Sequence, residues 1–307
     1  MEQQRPNVVF NRVGIAMCIL LGVVFYAQVL LTVLSVFLKV DMTEDTSFLL
    51  VLSDISYYVC AFPVYVFFMS TIKSEINIEK KRLSAGKFAA LFFISFAAMN
   101  LSNYITVLFH TVVKAITGIE LGSSLDGVLD QVNVFMVVTT VILAPIIEEF
   151  TFRYFALNKL RRFGDKTAII VTAVAFGLFH MNFEQAIYAT AIGLVFGYVA
   201  CKTGHIWYTI ILHGMLNFFG GVLPIAVEGM DSPLGSLIYT IGYFIFILIG
   251  VFLFIKRISK VKLEPGIDPV RKPIATAILN PGTLIFVIVS LCSMLLTLIM
   301  QFVEKVM

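Results

Sequence analysis

Residues Gly14 to Leu38 read GIAMCILLGVVFYAQVLLTVLSVFL, without one charged side chain. A helix needs about 20 mainly apolar residues to cross a hydrocarbon core roughly 30 Å thick, and this stretch exceeds that. It is too long for the core of a signal peptide and lacks a small-residue cleavage site, so it reads as an anchor. Eight further stretches repeat the pattern loosely: Phe48 to Thr71, Phe88 to Phe109, Val132 to Leu157, Thr167 to Phe183, Gln185 to Cys201, Ile206 to Val227, Leu234 to Ile255 and Thr283 to Val303.

Composition places the whole chain in the same class. Of 307 residues, 59% are hydrophobic and 13% charged, against about 25% charged in a soluble domain. Residues 1–307 therefore read as one all-α integral membrane domain, a polytopic transmembrane bundle of eight or nine spans. The net charge of +3 is small and its basic residues lie between the apolar runs, which argues against nucleic-acid binding. Cys18, Cys60, Cys201 and Cys292 show no CxxC or Cys/His ligand spacing and read as small core residues.

The charges between spans set a direction. Lys and Arg follow the second stretch (Lys73, Lys80, Lys81, Arg82), the fourth (Arg161, Arg162, Lys166), the sixth (Lys202) and the eighth (Lys256, Arg257, Lys260, Lys262), while Asp41, Glu44, Asp45, Glu120, Asp126, Asp130, Glu228 and Asp231 follow the odd ones. This alternation predicts a cytoplasmic N-terminus and an exterior C-terminus. Residues Lys260 to Lys272, with Pro265, Gly266, Asp268 and Pro269, read as a cytoplasmic loop.

An ionised side chain at a helix centre costs roughly 2.5–3.5 kcal/mol on insertion scales, so each one needs a reason. Glu149 and Arg153 are four apart and predict an ion pair on one face, with Glu148 turned about 100° away and left free. Phe176 and His180 share a face, as do His213 and Asn217. Counted from the basic ends at about 1.5 Å per residue, Glu148, His180 and Asn217 fall at similar depths, with His213 closer to the cytoplasm. Singly, each has a structural reading: a bridge for Glu149 and Arg153, a packed histidine, an asparagine that glues helices. Together they predict a common site near the midplane. Asp54 receives no role, Tyr57, Tyr58 and Trp207 read as interface or packing aromatics, and His110 reads as interfacial.

A free carboxylate beside a histidine can take a proton from water, and a second histidine with an amide can stabilise the oxyanion formed when water adds to a carbonyl. That is a kit for amide hydrolysis. Serine and cysteine lack a histidine partner at matching depth, so a covalent nucleophile is not favoured. Glu148, His180 and His213 could instead ligate zinc, a reading that rests on residue type alone because HExxH is absent.

The segments Glu148 to Arg153, Phe176 to His180 and His213 to Asn217 resemble the EExxxR, FxxxH and HxxxN/D motifs of the CAAX prenyl endopeptidase and bacteriocin-processing family, also called the Abi family, of intramembrane proteases. The likeness covers Val132 to Gly221 and defines a motif-bearing core at 132–221. It implies a glutamate-dependent protease without a cofactor, zinc being the alternative. By the resemblance, Glu148 and His180 activate water, His213 and Asn217 form the oxyanion hole, and Glu149 with Arg153 supports the site. The implied partner is a hydrophobic or lipid-modified peptide or protein within membrane lipids, and a bacterial plasma membrane is the expected location. The site is expected to open towards the cytoplasm. The alternative is a non-catalytic scaffold or bacteriocin self-immunity protein of the same fold. A proton-coupled transporter ranks below both, since no inverted repeat is visible.

Overall fold

The computed structural model describes residues 4–38, 46–74, 76, 78–120, 132–268 and 270–306. Asp41, Glu44, Asp45, Asp126, Asp130 and Pro269 lie outside the described residues. Among those described, all regular structure is helical: α1 (Pro6–Phe37), α2 (Leu50–Ser70), α3 (Ala85–Thr117), α4 (Val134–Phe163), α5 (Asp165–Phe179), α6 (Phe183–Thr203), α7 (Trp207–Gly229), α8 (Pro233–Ile258), α9 (Pro273–Ile278) and α10 (Pro281–Lys305). Eight of them, all but α5 and α9, are long and apolar enough to cross a membrane.

The fifth apolar stretch is therefore corrected. Helix α5 has 15 residues, about 22 Å of helix, which falls short of the hydrocarbon thickness. Asn182 explains where the chain turns: its side chain accepts from the Gln185 amide at 2.8 Å and so caps α6, satisfying a donor that the new helix leaves open. Met181 makes the corner at φ 51°. Helices α5 and α6 form an antiparallel hairpin closed by small residues, with a Cβ at Gly193 only 3.0 Å from the Ala173 backbone, as expected where helices associate without a hydrophobic drive.

Because α5 climbs and α6 returns, the alternation of basic and acidic ends survives the shortened span. One face collects every basic connection. Arg162 donates to the Gln4 carbonyl at 3.1 Å and to Asp268 at 2.6 Å. The Lys81 amide donates to the Thr203 carbonyl at 2.7 Å, and Lys202 pairs with Glu264 at 3.2 Å. On the opposite face Lys114, at the end of α3, pairs with Glu120 at 2.7 Å, and Lys305 at the end of α10 acts on that same carboxylate. The expected 260–272 loop is docked rather than loose. The Asp165 amide donates to the Glu264 carbonyl and the Glu264 amide to the Asp165 carboxylate, both at 3.1 Å. Gly266 lies so close to the Arg162–Gly164 backbone that a Cβ would stand 2.5 Å from the Phe163 carbonyl carbon.

Helices α1 and α10 pack through Gly14 and Gly282. A Cβ on Gly282 would collide with the Asn11 carbonyl and stand 2.8 Å from the Ile15 nitrogen, whereas one on Gly22 would meet nothing. Overpacking of this kind costs about 1–3 kcal/mol. Gly282→Ala is expected to lower the thermal unfolding midpoint in detergent, with Gly22→Ala leaving it unchanged.

Candidate active site

Proline shapes the helices that carry the site. Pro63, Pro145 and Pro224 each stand just after a π-helical segment, Ile55–Ala61, Thr139–Leu143 and Phe218–Val222 respectively. A proline ring clashes with the carbonyl four residues back and supplies no N–H to it, so the turn before it widens and a carbonyl is freed. On α4 that carbonyl belongs to Val141. Gly214 of α7 packs against it so tightly that a Cβ would lie 2.5 Å from the Val141 oxygen. One turn away, Asn217 Nδ2 donates to the Thr140 carbonyl at 2.8 Å. Helices α4 and α7 are thus drawn together, and His213 is carried onto the two glutamates.

The predicted ion pair is present. Arg153 Nη1 stands 3.0 Å from Glu149 Oε1, and the two side chains are 1% and 0% exposed. The guanidinium lies 4.4 Å from the centre of the Phe176 ring and 5.4 Å from that of Phe196, faces that attract a cation electrostatically. Glu149 Oε2 and Arg153 Nη2 have no protein partner, so the pair is enclosed without being fully satisfied. Glu148 points elsewhere, as its angular offset required, and keeps 14% of its side chain accessible.

His213 joins the two acids. Its Nδ1 is 3.1 Å from Glu149 Oε1, and its Nε2 is 3.7 Å from Glu148 Oε2. A carboxylate only accepts, so Nδ1 carries the hydrogen, and Nε2 is a donor only when the ring is doubly protonated. His180 is held differently. Its Nδ1 is 2.8 Å from the Phe176 carbonyl oxygen, which likewise only accepts; the neutral ring therefore presents a bare Nε2. Among the described residues no ion pair joins His180 to Glu148; the acid's ion-pair partner is His213. The Phe176 ring underlies both imidazoles, with centroids 5.1 Å from His180 and 5.8 Å from His213.

The structure thus gathers Glu148, Glu149, Arg153 and His213 in direct contact, with His180 beside them and Asn217 anchored to the α4 backbone. Among the described residues no three acidic, histidine or cysteine side chains are grouped to hold an ion. Both Nδ1 atoms are engaged, by the Phe176 carbonyl and Glu149, which leaves the two Nε2 atoms as the free ring nitrogens.

Three residues of α2 belong here although their sequence reading assigned them no chemistry. Asp54 accepts from the Thr139 hydroxyl at 2.9 Å, and Tyr58, one turn further along α2, packs on Tyr57 with centroids 5.3 Å apart. Tyr57 lies 3.4 Å from Thr151 Oγ1 and packs on Phe179 with centroids 5.4 Å apart. The signal was available: an acid inside an apolar stretch carries the same insertion cost that singled out Glu148. His110 is 3.8 Å from Glu184, and Trp207 is exposed, as an interfacial indole is.

Residues 130–219 match the family described as type II CAAX prenyl endopeptidase Rce1-like, and all three motifs fall inside that segment. A relative from Bacillus subtilis (strain 168), named "Putative membrane peptidase YdiL", is 30% identical over 100 residues. Those residues cover 31% of this chain and 40% of that protein's length. No solved structure matches the chain. The chain resembles the CAAX prenyl endopeptidase family over its motif-bearing core.

Removing one partner from a buried ion pair strands the other charge and costs about 3–5 kcal/mol. Arg153→Met is therefore expected to lower the unfolding midpoint strongly. The double variant Glu149→Gln with Arg153→Met is expected to recover part of the loss, which a double-mutant cycle in detergent measures.

Proposed function

We propose that this integral membrane protein is an intramembrane endopeptidase in which Glu148 and His180 activate water to hydrolyse a peptide bond. The observation that carries this reading is the 2.8 Å contact between His180 Nδ1 and the Phe176 carbonyl oxygen, an acceptor that places the ring hydrogen on Nδ1. With Nδ1–H spent on the Phe176 carbonyl, Nε2 is free to accept a proton from a water that Glu148 also binds. Two acceptors on one water favour its attack on a carbonyl. His213, held by Glu149 and facing Glu148 through Nε2, stabilises the oxyanion when its ring is protonated, and the second N–H of Asn217 adds a donor. The proton taken from water then passes to the leaving amine.

The substrate is a hydrophobic or lipid-modified peptide, because the site lies between helices that face lipid. The chemistry is metal-free, and the basic face, with the N-terminus, is cytoplasmic. A second reading, a non-catalytic scaffold or immunity protein, draws on a specific feature: Glu149, Arg153 and His213 make a closed network that would hold α4 and α7 together without any reaction.

Glu148→Gln separates the two, since Glu148 lies outside the buried pair and the variant keeps the fold. General-base catalysis contributes about 10²–10⁴-fold, so cleavage of a hydrophobic peptide by purified Glu148→Gln is expected to fall by that range, and His180→Ala to do the same. Unchanged cleavage in both would overturn the hydrolytic reading. Cleavage abolished by a chelator and restored by zinc would overturn its metal-free chemistry.

A further inference from the structure

At the basic end of the bundle, α1, α9 and α10 enclose a cavity of about 560 Å³, within the range of about 300–1,000 Å³ that small-ligand sites occupy. Its polar lining is Asn7, Asn11, Lys272, Thr276 and Asn280. Two of these residues fix its shape. Asn280 Nδ2 donates to the Ala277 carbonyl at 2.7 Å and the Thr276 carbonyl at 3.1 Å, and its Oδ1 accepts from the Thr283 amide at 3.0 Å. The junction of α9 and α10 is thereby held. Asn11 Oδ1 accepts from the Gly282 amide at 2.8 Å, which ties α1 to α10. With that oxygen committed, the group Asn11 still has to offer is its NH2 donor.

Among the described residues, Asn11 Nδ2, the Asn7 side-chain amide, the Thr276 hydroxyl and the Lys272 ammonium make no hydrogen bond or ion pair within the chain. None of the described lining residues is acidic, and Arg5 and Arg271 stand beside lining positions in the sequence. Helix α1, 32 residues long, begins here without a side-chain cap, so its positive end adds to the field. The first amides of α10, by contrast, are taken up by Asn11 and Asn280. Spare donors and positive charge without an acid suit an anion with several oxygens, and a phosphate is such a group. Depth and apolar surface narrow the source. Both α1 and α10 are long and apolar enough to span, and the cavity takes the first residues of each, so it lies where hydrocarbon gives way to headgroups. Val8 and Leu279 also line it and are 42% and 72% exposed, which offers an acyl chain a surface that a free anion would not use.

We propose that this cavity binds the phosphate of an anionic phospholipid from the leaflet on the basic face. Lys272 and the Asn11 NH2 bond its oxygens, Asn7 and Thr276 complete the headgroup contacts, and an acyl chain runs along Val8 and Leu279. Basic pockets between transmembrane helices hold anionic headgroups by the same means. The bound lipid joins α1 to α9 and α10, elements from opposite ends of the chain. This inference is independent of the hydrolytic reading.

The test titrates the full-length protein in neutral detergent with dioctanoyl phosphatidylglycerol, dioctanoyl phosphatidylcholine or inorganic phosphate, and native mass spectrometry counts the molecules bound. Phosphatidylglycerol is expected to saturate a single site per chain. Lys272→Gln removes the charge at an exposed position. Asn11→Asp keeps the oxygen that accepts from Gly282 and turns the spare donor into a second acceptor. Each is expected to weaken phosphatidylglycerol binding about fivefold or more, the factor that one basic residue contributes near an anionic lipid. Lys80→Gln, exposed on the same face and outside the cavity, is expected to stay within about twofold of the parent. Weakening by Lys80→Gln as large as that by Lys272→Gln is diffuse attraction to the basic face and overturns the site. Binding that Lys272→Gln leaves intact overturns it too, and this variant decides alone if Asn11→Asp lowers the unfolding midpoint. Phosphatidylcholine bound as tightly overturns the preference for an anionic lipid, and inorganic phosphate bound as tightly overturns the lipid as the source.

Discussion

The charge network of Glu149, Arg153 and His213 is the constraint on which the centre of the bundle depends. Three ionisable groups in a space lined by Phe152, Phe176 and Phe196 are tolerable only while each faces another, because an isolated charge there has no water to turn to. The geometry follows from that requirement. Arg153 must reach one turn back along α4 to Glu149, His213 must come from α7 to the same oxygen, and the aromatic faces must close over the guanidinium. Once Glu149 is fixed, Glu148 is fixed as well, since consecutive helical residues diverge by about 100°. The buried acid holds the partly accessible one in place.

Backbone irregularity allows the network to close. Two regular helices would keep every carbonyl of α4 engaged and hold α7 at a side chain's distance. Pro145 frees a carbonyl, Gly214 lets the α7 backbone approach it, and Asn217 takes up the neighbouring carbonyl of Thr140. Polar backbone at membrane depth is tolerated because it is satisfied within the protein, which is the condition that bilayer-spanning structures must meet. The same proline-linked widening in α2 precedes Pro63 and holds Tyr57 and Tyr58.

The hairpin of α5 and α6 resolves what length alone left ambiguous. A helix of 15 residues is too short to cross, yet its partner is long enough, and the Asn182 cap sets their junction near the far face. His180 follows from this as the residue after the last turn of α5, where its ring can fold back onto the Phe176 carbonyl.

The sequence by itself determined the class of the protein, which of its loops share a face and the faces of three helices. Those follow from one-dimensional quantities: apolar length against bilayer thickness, Lys and Arg between spans, and side chains four residues apart. The Glu149–Arg153 pair and the separate exposure of Glu148 were legible for that reason. Tertiary structure decided the rest. Which nitrogen of His213 meets which acid, that Asn217 spends a donor on Thr140, and that Asp54, Tyr57 and Tyr58 turn inward all depend on how separate helices approach one another. A proline or a glycine in the sequence announces that a helix will widen or a neighbour will come close. It does not say which neighbour, because that depends on packing among residues far apart in the chain.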